Sequence, residues 1–200
     1  MNPQRSINKL SKGQFSDRGS KFHSFLHPVE NLDVYRKFIH KYKEKNPNAC
    51  HVCSAYRIYL NGWVDEYATD DGEPKGSSGL PILNALKRHN LINAAIYVVR
   101  IYGGVNLGIP GLINAYSSSS EDSIKYANLL DWKAVDRVCI QYSYDLDKIV
   151  ISIVKSVNGN IIKQDFKEEV ISEIEIDEGS RDNFIDLLND KTSGRASILK

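Results

Sequence analysis

The spacing of apolar and polar positions changes several times along this chain, and each change marks an element. Lys21–His27 alternates around Phe22 and Phe25, the two-residue period of a strand, and Pro28 closes it. Val34, Phe38, Ile39 and Tyr42 recur at helical spacing. They predict an amphipathic helix capped by Asn31 or Asp33 and running to about Lys45. Asn46-Pro47-Asn48 stops it, because the residue before a proline is pushed out of the α region. Cys50–Leu60 is rich in Tyr, Val and Ile and reads as a strand. Asn61-Gly62 then supplies the two-residue turn of a hairpin, and Trp63–Thr69 is its return strand. Leu80–Arg88 reads as a helix with Pro81 in its first turn and Ser77 or Ser78 as N-cap. The continuous apolar run Asn93–Ile101 is the pattern of a strand buried on both faces. Gly111–Trp132 reads as mostly helical, loosened by the serines at 117–120, and residues 1–13 read as a polar arm.

The remainder has a different order. Arg137–Tyr144 is a predicted strand, and Asp145 caps a helix through about Ser156 that Asn158-Gly159 ends. Strands follow at Ile161–Phe166 and Val170–Ile176, then a helix at Glu178–Leu188 and a short edge strand at Arg195–Leu199. This βαββαβ order is compatible with a split-βαβ, ferredoxin-like domain. Composition shifts at the same place. All six prolines lie at or before Pro110. Residues 1–133 hold 17 Lys/Arg against 12 Asp/Glu (+5), and residues 134–200 hold 9 against 13 (−4). We expect two domains, 1–133 and 134–200, with the boundary near Asp131–Arg137. The excess of positive charge in the first is either unremarkable or a basic binding face.

Bulk properties exclude some classes. No apolar run approaches the roughly 20 residues of a membrane helix. The N-terminus MNPQRSINKL has no apolar core and predicts no secretory signal. Three cysteines argue against a disulfide framework. A cytoplasmic protein is expected, with no membrane contact, as a monomer or weak homo-oligomer.

The chemistry concentrates in two glycine-rich segments. Thr69–Leu86, TDDGEPKGSSGLPILNAL, sets Asp70, Asp71 and Glu73 ahead of a helix. Arg100–Tyr116, RIYGGVNLGIPGLINAY, follows a strand and opens another helix. The three carboxylates suit Mg²⁺ binding, and the N–H groups of Gly76, Ser77 and Ser78 suit a phosphate at a helix N-terminus. Alternatively the acids brace the loop by accepting backbone N–H bonds and pairing with a cation, which is the favoured reading. No Walker motif and no nucleophile elbow is present. Cys50-His51-Val52-Cys53 has C-x-x-C spacing, but no second pair completes a zinc site, so packing is favoured. Tyr56, Tyr59, Trp63 and Tyr67 on the hairpin serve either as core or as a base-stacking surface. No cofactor and no metal are expected.

Several motifs carry a resemblance. DDGEPKGSSGLPIL and VVRIYGGVNLG resemble the paired signatures of the IMPACT/YigZ family, with further matches in RGSKF (18–22), His51-x-Cys53-x-Ala55-Tyr56 and Ala115-Tyr116. The resemblance covers residues 13–120 closely. It implies an α+β protein of two domains: an α/β N-terminal domain of ribonuclease PH/ribosomal-protein-like type, and a ferredoxin-like C-terminal domain resembling one in elongation factor G. It also implies a non-catalytic regulator of translation or stress response that binds RNA, the ribosome or a translation factor. The alternative is an enzyme acting on a phosphorylated small molecule at the Asp70–Glu73 and Gly103–Gly111 loops. Candidate contact residues are Asp70, Asp71, Glu73, Lys75, Gly76, Ser77, Ser78, Gly79, Arg100, Gly103, Gly104, Asn106 and Gly108. The chain departs from the family pattern where Asn106 and Asn114 replace basic residues and Gly108-Ile109-Pro110-Gly111 replaces Gly-Thr-Gly-Gly. Any phosphate grip should therefore be weaker, or rest on Arg18, Lys21, Lys75, Lys87, Arg88 and Arg100.

Overall fold

A computed structural model describes residues 3–199. The chain divides into two compact units, one ending at Trp132 and the other beginning at Lys133.

In the first unit, strands β1 (Gln4–Ile7), β2 (Ser11–Asp17) and β3 (Ser20–Pro28) precede helix α1 (Leu32–Lys45). Strands β4 (His51–Leu60) and β5 (Trp63–Thr69) form the hairpin, followed by α2 (Gly79–Arg88), β6 (Ala94–Ile101), α3 (Gly108–Lys125) and β7 (Leu129–Trp132). An antiparallel five-stranded sheet has the order β2-β3-β6-β4-β5. Alternation along the central strand explains the layers. Ala94, Ile96 and Val98 pack in one cluster with Ile82, Leu86, Leu112 and Tyr116 of α2 and α3. Ala95, Tyr97 and Val99 pack on the other side with Tyr35 and Tyr42 of α1. A strand covered on both faces has no solvated side, hence the unbroken apolar run.

Local signals place most elements. Asn31 caps α1 by accepting the Val34 N–H at 3.0 Å. Two expectations are corrected. The polar start of the chain contains β1 and β2 rather than a loose arm. The segment after Lys125 is not helix, because Leu129–Trp132 turns back to pair antiparallel with β1. Both strands are only four residues long, and each pairs with a partner over 120 residues away, so no local period reveals them.

The serines do not loosen α3; they let it sit against the sheet. The Ser24 hydroxyl donates to the Ser119 carbonyl at 2.5 Å, and the Ser119 hydroxyl donates to the Phe22 carbonyl at 3.2 Å. The Ser11 hydroxyl donates to the Ser123 carbonyl at 2.7 Å. Small side chains bring helix and strand backbones close, and each buried hydroxyl finds an acceptor.

The second unit contains β8 (Val135–Tyr142), a short 3-10 turn (Tyr144–Leu146), α4 (Asp147–Ser156), β9 (Asn160–Phe166), β10 (Val170–Asp177), α5 (Arg181–Thr192) and β11 (Ser197–Leu199). Its antiparallel sheet has the order β11-β8-β10-β9. This is the split-βαβ, ferredoxin-like arrangement. Asp145 lies in the 3-10 turn ahead of α4, and the last helix begins at Arg181 rather than Glu178. Among the described residues no helix is long and apolar enough to cross a membrane.

Candidate functional site

The DDGEP segment leaves β5 and enters α2, and its first carboxylate is spent on the turn itself. Asp70 Oδ1 accepts the N–H of Ser78 at 3.0 Å and of Gly79 at 2.8 Å, and the Ser78 hydroxyl at 2.7 Å. Its Oδ2 accepts the Gly76 N–H at 2.8 Å. A carboxylate of the chain thus occupies the anion position that helix N-termini offer. Burial alone would raise the Asp70 pKa, but the donors from Gly76, Ser78 and Gly79 outweigh it and hold the carboxyl below its ordinary value. Ser78 is the N-cap by position, yet its hydroxyl serves Asp70 rather than the helix. The Ser77 hydroxyl donates to the Pro74 carbonyl at 2.6 Å. A Cβ on Gly79 would meet the Thr69 backbone at 2.8 Å, so only glycine lets the helix start this close to the strand end.

Asp71 faces the α1 side. Its φ is 44°, its Oδ1 pairs with Lys43 Nζ at 2.5 Å, and its Oδ2 accepts the Val52 N–H at 2.8 Å. Its carbonyl lies 2.7 Å from His51 Nδ1. Glu73 turns inward. Its Oε1 takes Arg100 Nη1 at 2.6 Å and the Tyr116 hydroxyl at 2.8 Å. The Cys53 thiol donates to the Asp70 carbonyl at 3.0 Å and the Tyr116 hydroxyl oxygen at 3.3 Å, completing a buried network. Burial is the main reason the Cys53 thiol is pushed up to about 12, with Glu73 and Asp71 adding to it. Burial, then Cys53 and Glu73, push the Tyr116 phenol far above its ordinary value. Cys53 is a packed thiol within this network and Cys50 an exposed one. Among the described residues no three His, Cys, Asp or Glu side chains group to hold an ion.

The second glycine-rich segment is anchored through the first and through the β2–β3 turn. Arg100, at the end of β6, carries the pair to Glu73 and lies between the rings of Phe22 and Tyr102, 5.6 Å from each centroid. Its Nε is buried without a partner. Gly103 lies directly on the turn: a Cβ there would meet Gly19 C at 2.0 Å and Ser20 N at 2.2 Å, and its N–H donates to the Ser20 hydroxyl at 3.1 Å. Gly104 has φ 88° and open space around it. Asn106 is exposed and accepts from the Tyr102 hydroxyl at 3.3 Å, and Gly108 opens α3. Lys75 is exposed, whereas Arg88 is paired with Glu121 at 2.6 Å.

Asp70, Glu73, Ser78, Gly79 and Arg100 are thus drawn into one bonded cluster, and Gly103 is held beside it. Asp71 points to the other face, and Lys75, Gly104 and Asn106 stay at the surface. Ser20, Cys53 and Tyr116 belong to the same framework, and Lys43 braces Asp71 on the other face. Of these, Ser20, Cys53 and Tyr116 fall in short motifs of the sequence, but Lys43 carries no local signal.

The Impact N-terminal domain profile matches residues 18–124, which includes all of this framework. The chain is 32% identical over 181 residues to the IMPACT family member YvyE of Bacillus subtilis (strain 168), covering 90% of this chain and 82% of that protein. It is 31% identical over 183 residues to an IMPACT family member of Haemophilus influenzae, covering 90% and 87%. A crystal structure described as that of a hypothetical protein superposes with a TM-score of 0.68 at 22% identity. It covers all of this chain and 97% of that one, and shows the same fold. The chain belongs to the IMPACT family.

Proposed function

We propose that this IMPACT-family protein is a non-catalytic regulator of translation or of a stress response, acting by binding RNA, the ribosome or a translation factor. The observation that carries this reading is the occupancy of the three carboxylates. Acid–base or metal chemistry needs carboxylate oxygens that converge on one open point. Here Asp70 is committed to four donors, Asp71 to Lys43 and Val52, and Glu73 to Arg100 and Tyr116. The acids instead brace the loop after β5 and tie it to the end of β6, and Lys75 of that loop and Lys21 of β3 are exposed cations. Rigid presentation of loop backbone suits recognition, since little ordering entropy is lost on binding.

The test is RNA affinity of the intact chain at two salt concentrations. A phosphate-led contact weakens steeply as salt rises, by roughly tenfold or more between about 50 and 200 mM, and Lys75→Ala and Lys21→Ala each reduce that slope by about one. Binding without salt dependence, or none at low salt, removes RNA and leaves a protein component of the translation machinery.

A further inference from the structure

The two faces of β3 are used differently. Phe22, Ser24 and Leu26 face α3, where Phe22 packs on Tyr116 and the Ser24 hydroxyl donates to the Ser119 carbonyl. Lys21, His23, Phe25 and His27 alternate to the α1 side, and antiparallel register sets Ser16, Gln14 and Lys12 of β2 beside the first three. Helix α1 covers part of this face: Phe38 stacks on His27 with centroids 3.8 Å apart, and Tyr42 on Phe25 at 4.3 Å. Beyond that contact a cavity of about 310 Å³ is lined by Phe25, His23, Lys12 and Gln14 and, around the β2 edge, by Asp122 and Tyr126. Tyr126 is 66% exposed, and Lys125 Nζ lies 5.5 Å from its ring centroid.

The helix beside this cavity is basic. Lys37, Lys41 and Lys45 follow one another at single-turn spacing, about 6 Å apart along the axis, and all three are exposed. Lys37 and Lys41 also line a second cavity, of about 690 Å³, together with Phe38 and His40. Among the described residues, neither these three lysines nor Lys12 forms an ion pair. The paired cations of α1 are Arg36 and Lys43, held by Asp33 and Asp71, and they line the cleft on the β5 flank instead. Glu44 is the one carboxylate lining the second cavity, and Asp122 Oδ2 in the first accepts the Gln14 N–H at 2.9 Å. Lys45 suits a helix C-terminus. Lys37 and Lys41, however, are like charges at i,i+4 within the helix and oppose its stability. A row held against that cost fits an anionic partner.

Taking RNA as the ligand of the proposed function, we propose that the α1 side of β2 and β3 holds it as a single strand. A base rests on Tyr126 and Phe25 in the first cavity, and the backbone phosphates follow Lys12, Lys37, Lys41 and Lys45. Lysines alone would suit any polyanion. The aromatic cavity beside them selects one that carries planar bases, because every base offers a π face. A duplex keeps its bases stacked inside and has none to offer. Phe25 is fixed by its stack on Tyr42, so part of the platform is preformed. Gln14 and Asp122 add an amide and a carboxylate that can meet a base edge. Phe25 and His23 lie on the other side of the sheet from Phe22 and its register partner Arg100. The surface is therefore separate from the cluster of Glu73, Arg100 and Tyr116.

The test uses the full chain and a labelled single-stranded RNA of mixed sequence, about ten nucleotides long. Controls are the same RNA paired with its complement, an abasic strand of equal length, and a polyglutamate peptide. The single strand is expected to bind at least about fivefold more tightly than any control, since stacking is lost in each. Tyr126→Ala should weaken RNA binding at least about fivefold and leave its salt dependence unchanged. Lys37→Ala combined with Lys41→Ala should lower the salt slope by about two. All three side chains are exposed, so the thermal transition should stay nearly unchanged in these variants. RNA binding that responds to Lys75→Ala but to none of these changes would overturn this surface and leave the proposed function standing. No RNA binding at low salt would overturn both. Equal binding of the duplex, the abasic strand or the peptide would show that no base is held, and would overturn the surface as well.

Discussion

Glu73 and Arg100 stand 27 positions apart in the chain and meet at 2.6 Å with only 3% and 7% of their side chains exposed. The pair ties the loop after β5 to the end of β6, and Tyr116 of α3 adds a third anchor on the same oxygen.

Removing one partner of a buried pair leaves an uncompensated charge. Glu73→Ala and Arg100→Ala are each expected to cost about 3–5 kcal/mol. The double variant should cost less than the two singles combined, with a coupling of about 1–3 kcal/mol. Trp63 lies in the β4–β5 hairpin of the first unit and Trp132 at that unit's end, so tryptophan fluorescence during urea unfolding follows the first unit. Simple additivity would mean that the pair does not hold the loops together.

Asp70 and Asp71 separate bracing from metal chemistry. Asp70→Asn is expected to cost about 1–3 kcal/mol, because an amide cannot accept four donors as a carboxylate does. The folded Asp70 pKa is lowered. Its contribution is therefore fully present above the ordinary carboxylate pKa and is lost as pH falls through the lowered value. The variant should show a shallower acid limb. Asp71→Asn should lower the melting temperature with or without Mg²⁺. A Mg²⁺-dependent rise in the native protein that vanishes in Asp71→Asn would favour an enzyme instead, since a ligand of the folded state alone stabilises it.

His27 sets a second pH dependence. It is buried, stacks on Phe38 with centroids 3.8 Å apart, and bonds through Nε2 to the Tyr42 hydroxyl at 2.7 Å. Burial, aided by Lys41, lowers its pKa from 6.5 to about 4. The unfolded chain takes up a proton below the higher value and the folded chain resists until the lower one. Stability should therefore fall as pH drops from 6.5 toward 4, by no more than about 3 kcal/mol after allowing for solvent screening. His27→Phe should flatten the fluorescence-monitored stability over that window. An unchanged slope would place the effect elsewhere.

Adjacent glycines should behave differently. Gly103→Ala forces a Cβ into the Gly19 and Ser20 backbone, and neither neighbour is a flexible side-chain end. We expect a loss of more than about 2 kcal/mol and exchange broadening at the Arg18–Ser20 turn. Gly104→Ala meets only the strain of φ 88° in open space, so about 1 kcal/mol is expected. Equal losses would show that the β2–β3 turn yields easily.

Where structure follows from neighbours in the chain, the sequence alone determined it. The helix after Asn31, the turn at Asn61-Gly62, the strand Trp63–Thr69 and the βαββαβ order after the boundary all rest on caps, turn residues and periods that act over a few positions. The DDGEP and YGG segments were visible for the same reason, as glycine-rich junctions at strand ends. Tertiary structure alone decided the pairing of Gln4–Ile7 with Leu129–Trp132, because so short a strand is stabilised by a partner that no local window contains. It also turned the serine run from an apparent weakness of α3 into its contact surface. The use of a small side chain depends on the backbone opposite it. Finally it decided what the acids do. Three carboxylates within four positions look alike in sequence, but the strand twist and the following turn send Asp70 to the α2 amides, Asp71 to Lys43 and Glu73 to Arg100. Their roles are set by donors brought from up to 43 positions away, and only the folded chain assembles those donors.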